Sequence, residues 1–287
     1  MKEIALAHGV AAAGTVKAGD IAEFERFAEA SASAPPGLAY LTREPLKRKN
    51  ISNWCAGARS ALVCAFRYWA PGLDYAAARE TAGDPGEFLK ASGRKINQPK
   101  LLQMPGAKIS RYALCRDYHL TVKEKLAAIL EHIKAEAPGT EGMAFCDTSP
   151  VMEKEFARLA GIGFRGKNTL IVSRGLGSYF FLGGLALNLD LEPDKPAEDS
   201  CGGCGLCERA CPTGALSGGR LDAGRCLSYW TTQCRGEIPA DLAAKSSGFA
   251  YGCDLCQEAC PLNAAQGPVT PGLGPEEPPA RRFFRGS

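Results

Sequence analysis

No apolar run in this chain approaches the length of a membrane-spanning helix, and "SYFFLGGLAL" (Ser178–Leu187) is both too short and broken by glycines. The first residues, "MKEIALAHGV", lack the apolar core of an export signal and carry no twin arginine. Net charge is scarce as well. A value of +3 gives no argument by itself for a nucleic-acid partner, though it leaves room for a local basic surface. These absences point to a cytoplasmic protein, and disulfides rarely persist in that compartment. Histidine is rare, with three in 287 residues. The hydrophobic share of 45% and charged share of 23% are those of an ordinary globular chain. The length suffices for one large domain or two smaller ones with a sizeable core.

Cysteine is what the chain has in excess, and its placement is uneven. Of 13 cysteines, Cys55, Cys64, Cys115 and Cys146 are scattered, and the other nine fall between Cys201 and Cys260. A disulfide scaffold would be a short secreted chain with evenly spread thiols, so metal is the better account. The stretch "CGGCGLCERACP" (Cys201–Pro212) has the spacing C-x2-C-x2-C-x3-C-P, and "CDLCQEACP" (Cys253–Pro261) echoes it. Zinc sites need two separated C-x2-C pairs, and a run of three followed by C-P is not that pattern. Two 4Fe-4S clusters fit. Three thiolates wrap one cube, and the cysteine before proline serves the other cluster. The spacing assigns Cys201, Cys204, Cys207 and Cys260 to one cluster. Cys211, Cys226, Cys253 and Cys256 fall to the second. Cys234 has no partner in this scheme and reads as a free buried thiol, as do the four scattered cysteines.

The first 190 residues alternate helical and strand-like patterns. "DIAEFERFAEA" places Ile21, Phe24, Phe27 and Ala28 on one face behind Asp20 as N-cap. "VKEKLAAILEHIKAE" sets Val122, Leu126, Ile129, Leu130 and Ile133 on one stripe. "ALVCAF", "GMAFC", "NTLIVS" and "YFFLGGLAL" read as strands, and Ser149 with Pro150 as the start of a helix ended by Gly161 and Gly163. The expected fold is an α/β (α+β) domain with a sheet covered on both faces, followed by a ferredoxin-like double-cluster domain. Ligands of such sheets sit beyond the carboxyl ends of strands, where "CDTSP" falls. The boundaries follow composition: residues 1–190, then 191–265 entered through the linker "LEPDKPAED", then a Pro- and Gly-rich tail, 266–287, expected to be disordered. Two close clusters conduct single electrons, so the module alone fits a small carrier or a reductase. The long preceding domain favours an enzyme with a second cofactor.

Several segments together carry a resemblance. "RYALCRDYH" (Arg111–His119), "DTSPVMEKEFARLAGIGFRGKNTLIVS" (Asp147–Ser173), "GSYFFLGG" (Gly177–Gly184), the first cysteine run, "CLSYW" and "YGCDLCQEACPLN" resemble the epoxyqueuosine reductases, in that family's order and at its spacing, over roughly residues 1–263. The resemblance implies reduction of the epoxide of epoxyqueuosine at the wobble position of tRNA. It also implies cobalamin in the first domain beside two 4Fe-4S clusters, a tRNA anticodon partner and an external electron donor, and the chain is expected to be a monomer. Asp147 matches the family's proton donor, and Asp117 and His119 match polar residues near the substrate. Lys167, in "GFRGKNTL", matches a loop for the corrinoid, and Ser228, Cys253 and Asp254 fall where the corrinoid meets the nearer cluster. The basic runs "LKRKN" (Lys47, Arg48, Lys49) and "ARRFFR" are candidates for tRNA phosphates. Many members of the family continue into a C-terminal helical-repeat domain, and a short form without it is expected to bind tRNA weakly. The alternatives are a related corrinoid iron–sulfur reductase of another small molecule, or a non-enzymatic electron-transfer protein.

Overall fold

The run "SALVCAFR" is buried at all eight positions, which a strand achieves only with a neighbour on each side and a layer on each face. In the computed structural model of the chain this is the case. The structure describes residues 1–71, 84–91, 93–115, 117–265 and 267–275. The main sheet has four strands: β1 (Ala12–Lys17), β2 (Ser60–Arg67), β3 (Gly142–Phe145) and β4 (Phe180–Leu187). Their order is β1-β2-β4-β3 and every pairing is antiparallel.

Alternation along β2 builds two cores. Leu62, Cys64 and Phe66 face one layer with Leu185 and Leu187, where α1 (Lys2–Ala7) and α3 (Tyr118–Glu136) pack. Ala61, Val63 and Ala65 face the other with Val16 and Ala186, against Phe156 and Ala157 of α4 (Glu153–Leu159). Helix α2 (Phe24–Ala32) lies at the edge of this second layer and buries Phe24. Val122, Leu126, Ile129 and Ile133 of α3 are fully buried, each contributing about 1.5–3 kcal/mol of transfer free energy. Strand β1 approaches the end of α4 so closely that a Cβ at Gly14 would stand 2.1 Å from the Ala160 carbonyl oxygen. Only glycine fits there.

Some sequence expectations fail at their edges. Asp20 does not cap α2: Glu23 occupies that position, and Asp20 instead accepts a hydrogen bond from Asn50 at 2.9 Å. Ser149 and Pro150 precede α4 without capping it, because Thr148 N–H bonds to Cys146 O and Val151 N–H to Ser149 O in two tight turns. "NTLIVS" supplies only Ile171–Val172, paired with Phe164–Arg165 in a separate hairpin. The linker is strapped down. Thr15 N–H donates to Asp194 at 2.9 Å, and Asp194 N–H returns to Thr15 O at 2.9 Å. The tail is packed as far as it is described, with Leu273 fully buried and the Thr270 hydroxyl accepting from Arg67 N–H. This replaces the disorder expected for 267–275, and "ARRFFR" lies outside the described residues.

The cysteine-rich segment docks on the first domain through polar, buried contacts. Phe249–Tyr251 pairs in parallel with Lys108–Ile109. Gly252, at φ +68°, lies over Ser110, where a Cβ would come within 2.4 Å of the serine Cβ. Gln257 donates to Ser178 at 3.0 Å, and Asn263 accepts from Ser178 N–H at 2.6 Å. Among the described residues no helix is long and apolar enough to cross a membrane.

Candidate active site

Asp147 lies two residues beyond β3 and holds φ at +52°, a left-handed conformation uncommon for a residue with a side chain. Three neighbours account for its persistence. Its backbone N–H donates to the Glu153 carboxylate on the first turn of α4. Its Oδ2 accepts from the Tyr118 hydroxyl at 3.0 Å and faces His119 Nε2 at 3.0 Å. The other ring nitrogen of His119, Nδ1, stands 2.8 Å from Asp117 Oδ1. A neutral imidazole has one N–H, and here both nitrogens face carboxylates, so the geometry favours imidazolium. The electrostatics agree. The His119 bond holds the Asp147 carboxyl below its ordinary range, and the Asp147 bond raises His119 against the opposing effect of burial. Burial raises the Glu153 carboxyl to about 8, with the Asp147 charge adding to the rise.

The stored proton therefore rests on His119, with Asp147 as its ionised partner. In single-turnover reactions from pre-reduced protein, the rate is expected to fall as pH rises through the raised His119 pKa, above about 6.5. A profile flat from pH 6 to 9 would contradict this assignment.

Two cavities meet beside this group. One of about 240 Å³ is lined by Tyr118, Asp147 and Glu153. A larger one of about 420 Å³ lies against Cys211, Cys226, Cys253 and Cys256. Lys154, Leu170, Ser178, Phe180 and Phe181 line both. The result is one cleft with a proton-holding group at one end and four thiols at the other.

Within each expected set, some thiols lie near enough to act on one another. Burial raises the Cys260 thiol, and Cys201 and Cys204 are near enough to add to it. Cys201 acts likewise on Cys207. Burial raises the Cys253 thiol to about 12, with Cys226 and Cys211 contributing. Cys256 responds to Cys253 and Cys226, and also to Cys207, where the two sets adjoin. Backbone N–H groups already point at sulfur, from Lys167 to Cys201 at 3.4 Å and from Ala215 to Cys211 at 3.3 Å. No disulfide joins any of the 13 cysteines. Sulfurs that attract N–H donors suit a cluster, whose iron would offset the charge of the bound thiolates.

Two of the sequence candidates sit elsewhere. Asp254 is 1% exposed and turns away from the cleft. It accepts from the Ser110 hydroxyl and, at 2.7 Å, from Arg111 N–H, within an ion pair that Arg111 makes between the rings of Trp69 and Tyr179. Its work is domain docking. Lys167 reaches Gly202 O at 2.9 Å and Cys204 O at 2.6 Å, so it braces the first cysteine loop and does not line the cleft. Ser228 and Cys253 do line it. Sequence reasoning missed Tyr118, Glu153 and Lys154. Tyr118 stands between two named candidates, and Glu153 is the first acidic residue after Asp147, which were the available signals.

This combination defines an iron–sulfur protein in which a double-cluster module closes one end of a cleft in an α+β domain. Residues 200–263 match the 4Fe-4S double cluster binding domain, and residues 48–148 match the domain of unknown function described for epoxyqueuosine reductase QueG. An epoxyqueuosine reductase of Cyclobacterium marinum is 41% identical over 216 residues, 75% of this chain and 61% of that protein. A solved epoxyqueuosine reductase in complex with an epoxyqueuosine-modified tRNA stem loop matches with a TM-score of 0.73 at 28% identity, covering 96% of this chain and 68% of the other. Another, from Bacillus subtilis, matches with a TM-score of 0.73 at 27% identity, over 96% of this chain and 68% of that one, and has its catalytic aspartate loop swung out of the active site. The chain is thus related to the epoxyqueuosine reductases through both of its modules. It spans about half the length of the first curated relatives it matches, 48% and 38% of two of them.

Proposed function

We propose that this chain reduces the epoxide of epoxyqueuosine in the anticodon of tRNA, with two 4Fe-4S clusters and a corrinoid as its cofactors. The observation that carries the reading is the single cleft joining the Asp147–His119 pair to the four thiols Cys211, Cys226, Cys253 and Cys256. Loss of the epoxide oxygen as water takes two electrons and two protons, so an electron source and a proton source must face one substrate.

The cleft suits a flat, largely apolar group with a polar rim. Leu170, Phe180, Phe181 and Leu227 supply apolar walls, and Asn168, Ser228 and Gln257 supply side-chain partners for peripheral amides. When bound, a corrinoid supplies a metal that can be reduced to a strongly nucleophilic low-valent state. The chain's own residues do the rest. His119 Nε2 holds a proton against Asp147 Oδ2, and the Tyr118 hydroxyl donates to that same oxygen. Asp147 passes the His119 proton to the departing oxygen, and solvent, which reaches the exposed Asp147 carboxylate, supplies the second proton of the leaving water. Iron and sulfide analysis of anaerobically reconstituted protein is expected to approach about eight of each per chain, four per cluster. A zinc-loaded protein that takes up no iron would overturn the cofactor assignment.

Of the basic run, one residue turns toward the site. Lys47 pairs with Glu44, and Lys49 lies 3.6 Å from Asp20. Arg48 stacks on Phe27 at 5.6 Å and feels the charge of Glu153, and its Nε is buried with no hydrogen-bond partner among the described residues. This reading makes Arg48 a phosphate contact beside the wobble nucleoside. Arg48→Ala is expected to weaken stem-loop binding and flatten the log–log salt dependence by about 0.7–0.9, as one lost phosphate contact requires. An unchanged slope would remove it from the interface. The function itself is tested by nucleoside digests of tRNA from cells lacking the gene, in which epoxyqueuosine should accumulate in place of queuosine. Normal queuosine there would contradict the proposal.

A further inference from the structure

Of the nine cysteines between 201 and 260, Cys204 alone is exposed. It lies in the set furthest from the cleft, and its loop is open: a Cβ at Gly202 or Gly203 would meet nothing within 4 Å. Around this loop the surface is both apolar and basic. Leu206 is 41% exposed on the helix Leu206–Ala210. The Arg209 guanidinium lies over Gly205, where a Cβ would come within 3.1 Å of it. Lys167 Nζ bonds the carbonyls of Gly202 and Cys204, and its backbone lies beside Gly219, next to exposed Arg220. Of the carboxylates flanking this loop, Glu208 accepts from Gly219 N–H at 3.0 Å and ties the hairpin to the helix, and Asp199 is paired with Arg174 at 2.9 Å. Lys167, Arg209 and Arg220 thus lie on the segments beside the loop of the most exposed of these thiols.

We infer that this face, formed by Cys204, Leu206, Lys167, Arg209 and Arg220, is the docking site of a small acidic one-electron carrier protein. Charge complementarity selects the occupant, because a basic rim steers an acidic partner and repels a basic one. The small apolar centre and open backbone suit a transient contact of the kind redox partners make. Each encounter moves one electron, so the carrier is oxidised by one electron and the cluster of Cys201, Cys204, Cys207 and Cys260 is reduced by one. Two encounters supply the pair of electrons a two-electron reduction consumes. The helices Leu206–Ala210 and Leu255–Glu258, which carry Cys207 and Cys256, pack together and mark the onward route to the cleft.

The inference rests on the double-cluster domain and is independent of which substrate occupies the cleft. Its test follows the clusters directly, by stopped-flow bleaching of oxidised, fully reconstituted protein. The probes are a reduced flavodoxin, which is acidic, and photoreduced deazaflavin, which is small and uncharged at the reacting ring. For the Arg209→Glu/Arg220→Glu protein, the flavodoxin rate constant at low salt is expected to fall by about tenfold or more and to converge on the wild-type value at high salt. The Arg209→Gln/Arg220→Gln protein should lose less, and the deazaflavin rate should stay unchanged in both. Equal flavodoxin rates in wild-type and charge-reversed proteins at low salt would overturn the assignment. So would an equal fall with both reductants in the glutamine protein, since the arginines would then act on the cluster and not on docking.

Discussion

Asp147→Asn is expected to leave the cluster and corrinoid spectra intact while turnover falls by about a hundredfold or more, the usual cost of a lost proton-transfer group. Asparagine preserves size and can still accept a bond from Tyr118 at its amide oxygen, but it cannot take a proton from His119 and release it. The same change removes the partner that raises His119, so the alkaline limb of the pH profile should move to lower pH. The sign follows from linkage. A histidine raised by a carboxylate holds its proton to higher pH, and without that carboxylate it releases the proton sooner. Turnover at the wild-type rate would return Asp147 to a purely structural role.

Glu153 carries the second large effect, through position. Its carboxylate is the acceptor for the Asp147 N–H, and it sits on α4, which is packed into the core through Phe156 and Ala157. Left-handed backbone at a non-glycine residue costs about 1–3 kcal/mol and persists where the surroundings hold it. Glu153→Ala removes the acceptor and frees the turns at Cys146–Val151 to relax. A displacement of about 1 Å in a reacting group costs on the order of a hundredfold in rate, so kcat should fall by that much with little change in KM. Glu153→Gln keeps an oxygen acceptor and should restore most of the rate. Because it also removes the group that titrates at about 8, the pH profile of the Gln protein should lose any inflection there. If Gln proves as inactive as Ala, a titrating carboxyl and not position is what Glu153 provides.

The double-cluster segment was legible because its information is local. A cube needs thiolates at short, fixed spacings, and residues 200–263 match a double-cluster domain as that pattern leads one to expect. The strands "ALVCAF" and "YFFLGGLAL" were legible for a related reason, since continuous burial demands continuous apolar sequence. Strand β1 was not. "AAGTVK" is poor in large apolar residues because its glycine lies against α4, a constraint visible only once both elements are placed. Nor was the antiparallel order of the sheet, which depends on pairings more than a hundred residues apart. Lys167 and Asp254 show the same limit at the site. Each sits beside a functional segment in sequence, yet one grips Gly202 and Cys204 and the other grips Ser110 and Arg111. Neighbours along the chain fix proximity to a site, and the direction of the side chain depends on what the fold brings opposite.

The central claim is that electrons arriving at the thiol end of the cleft and the proton held at Asp147 and His119 meet on one nucleoside. The most direct measurement is a single-turnover reaction of fully loaded, pre-reduced protein with an epoxyqueuosine-containing anticodon stem loop, the nucleosides being separated and identified by mass. The account predicts conversion to queuosine with oxidation of the clusters, and loss of that conversion in Asp147→Asn with cluster reduction unimpaired. Unaltered epoxyqueuosine in the presence of reduced clusters and bound corrinoid would contradict it.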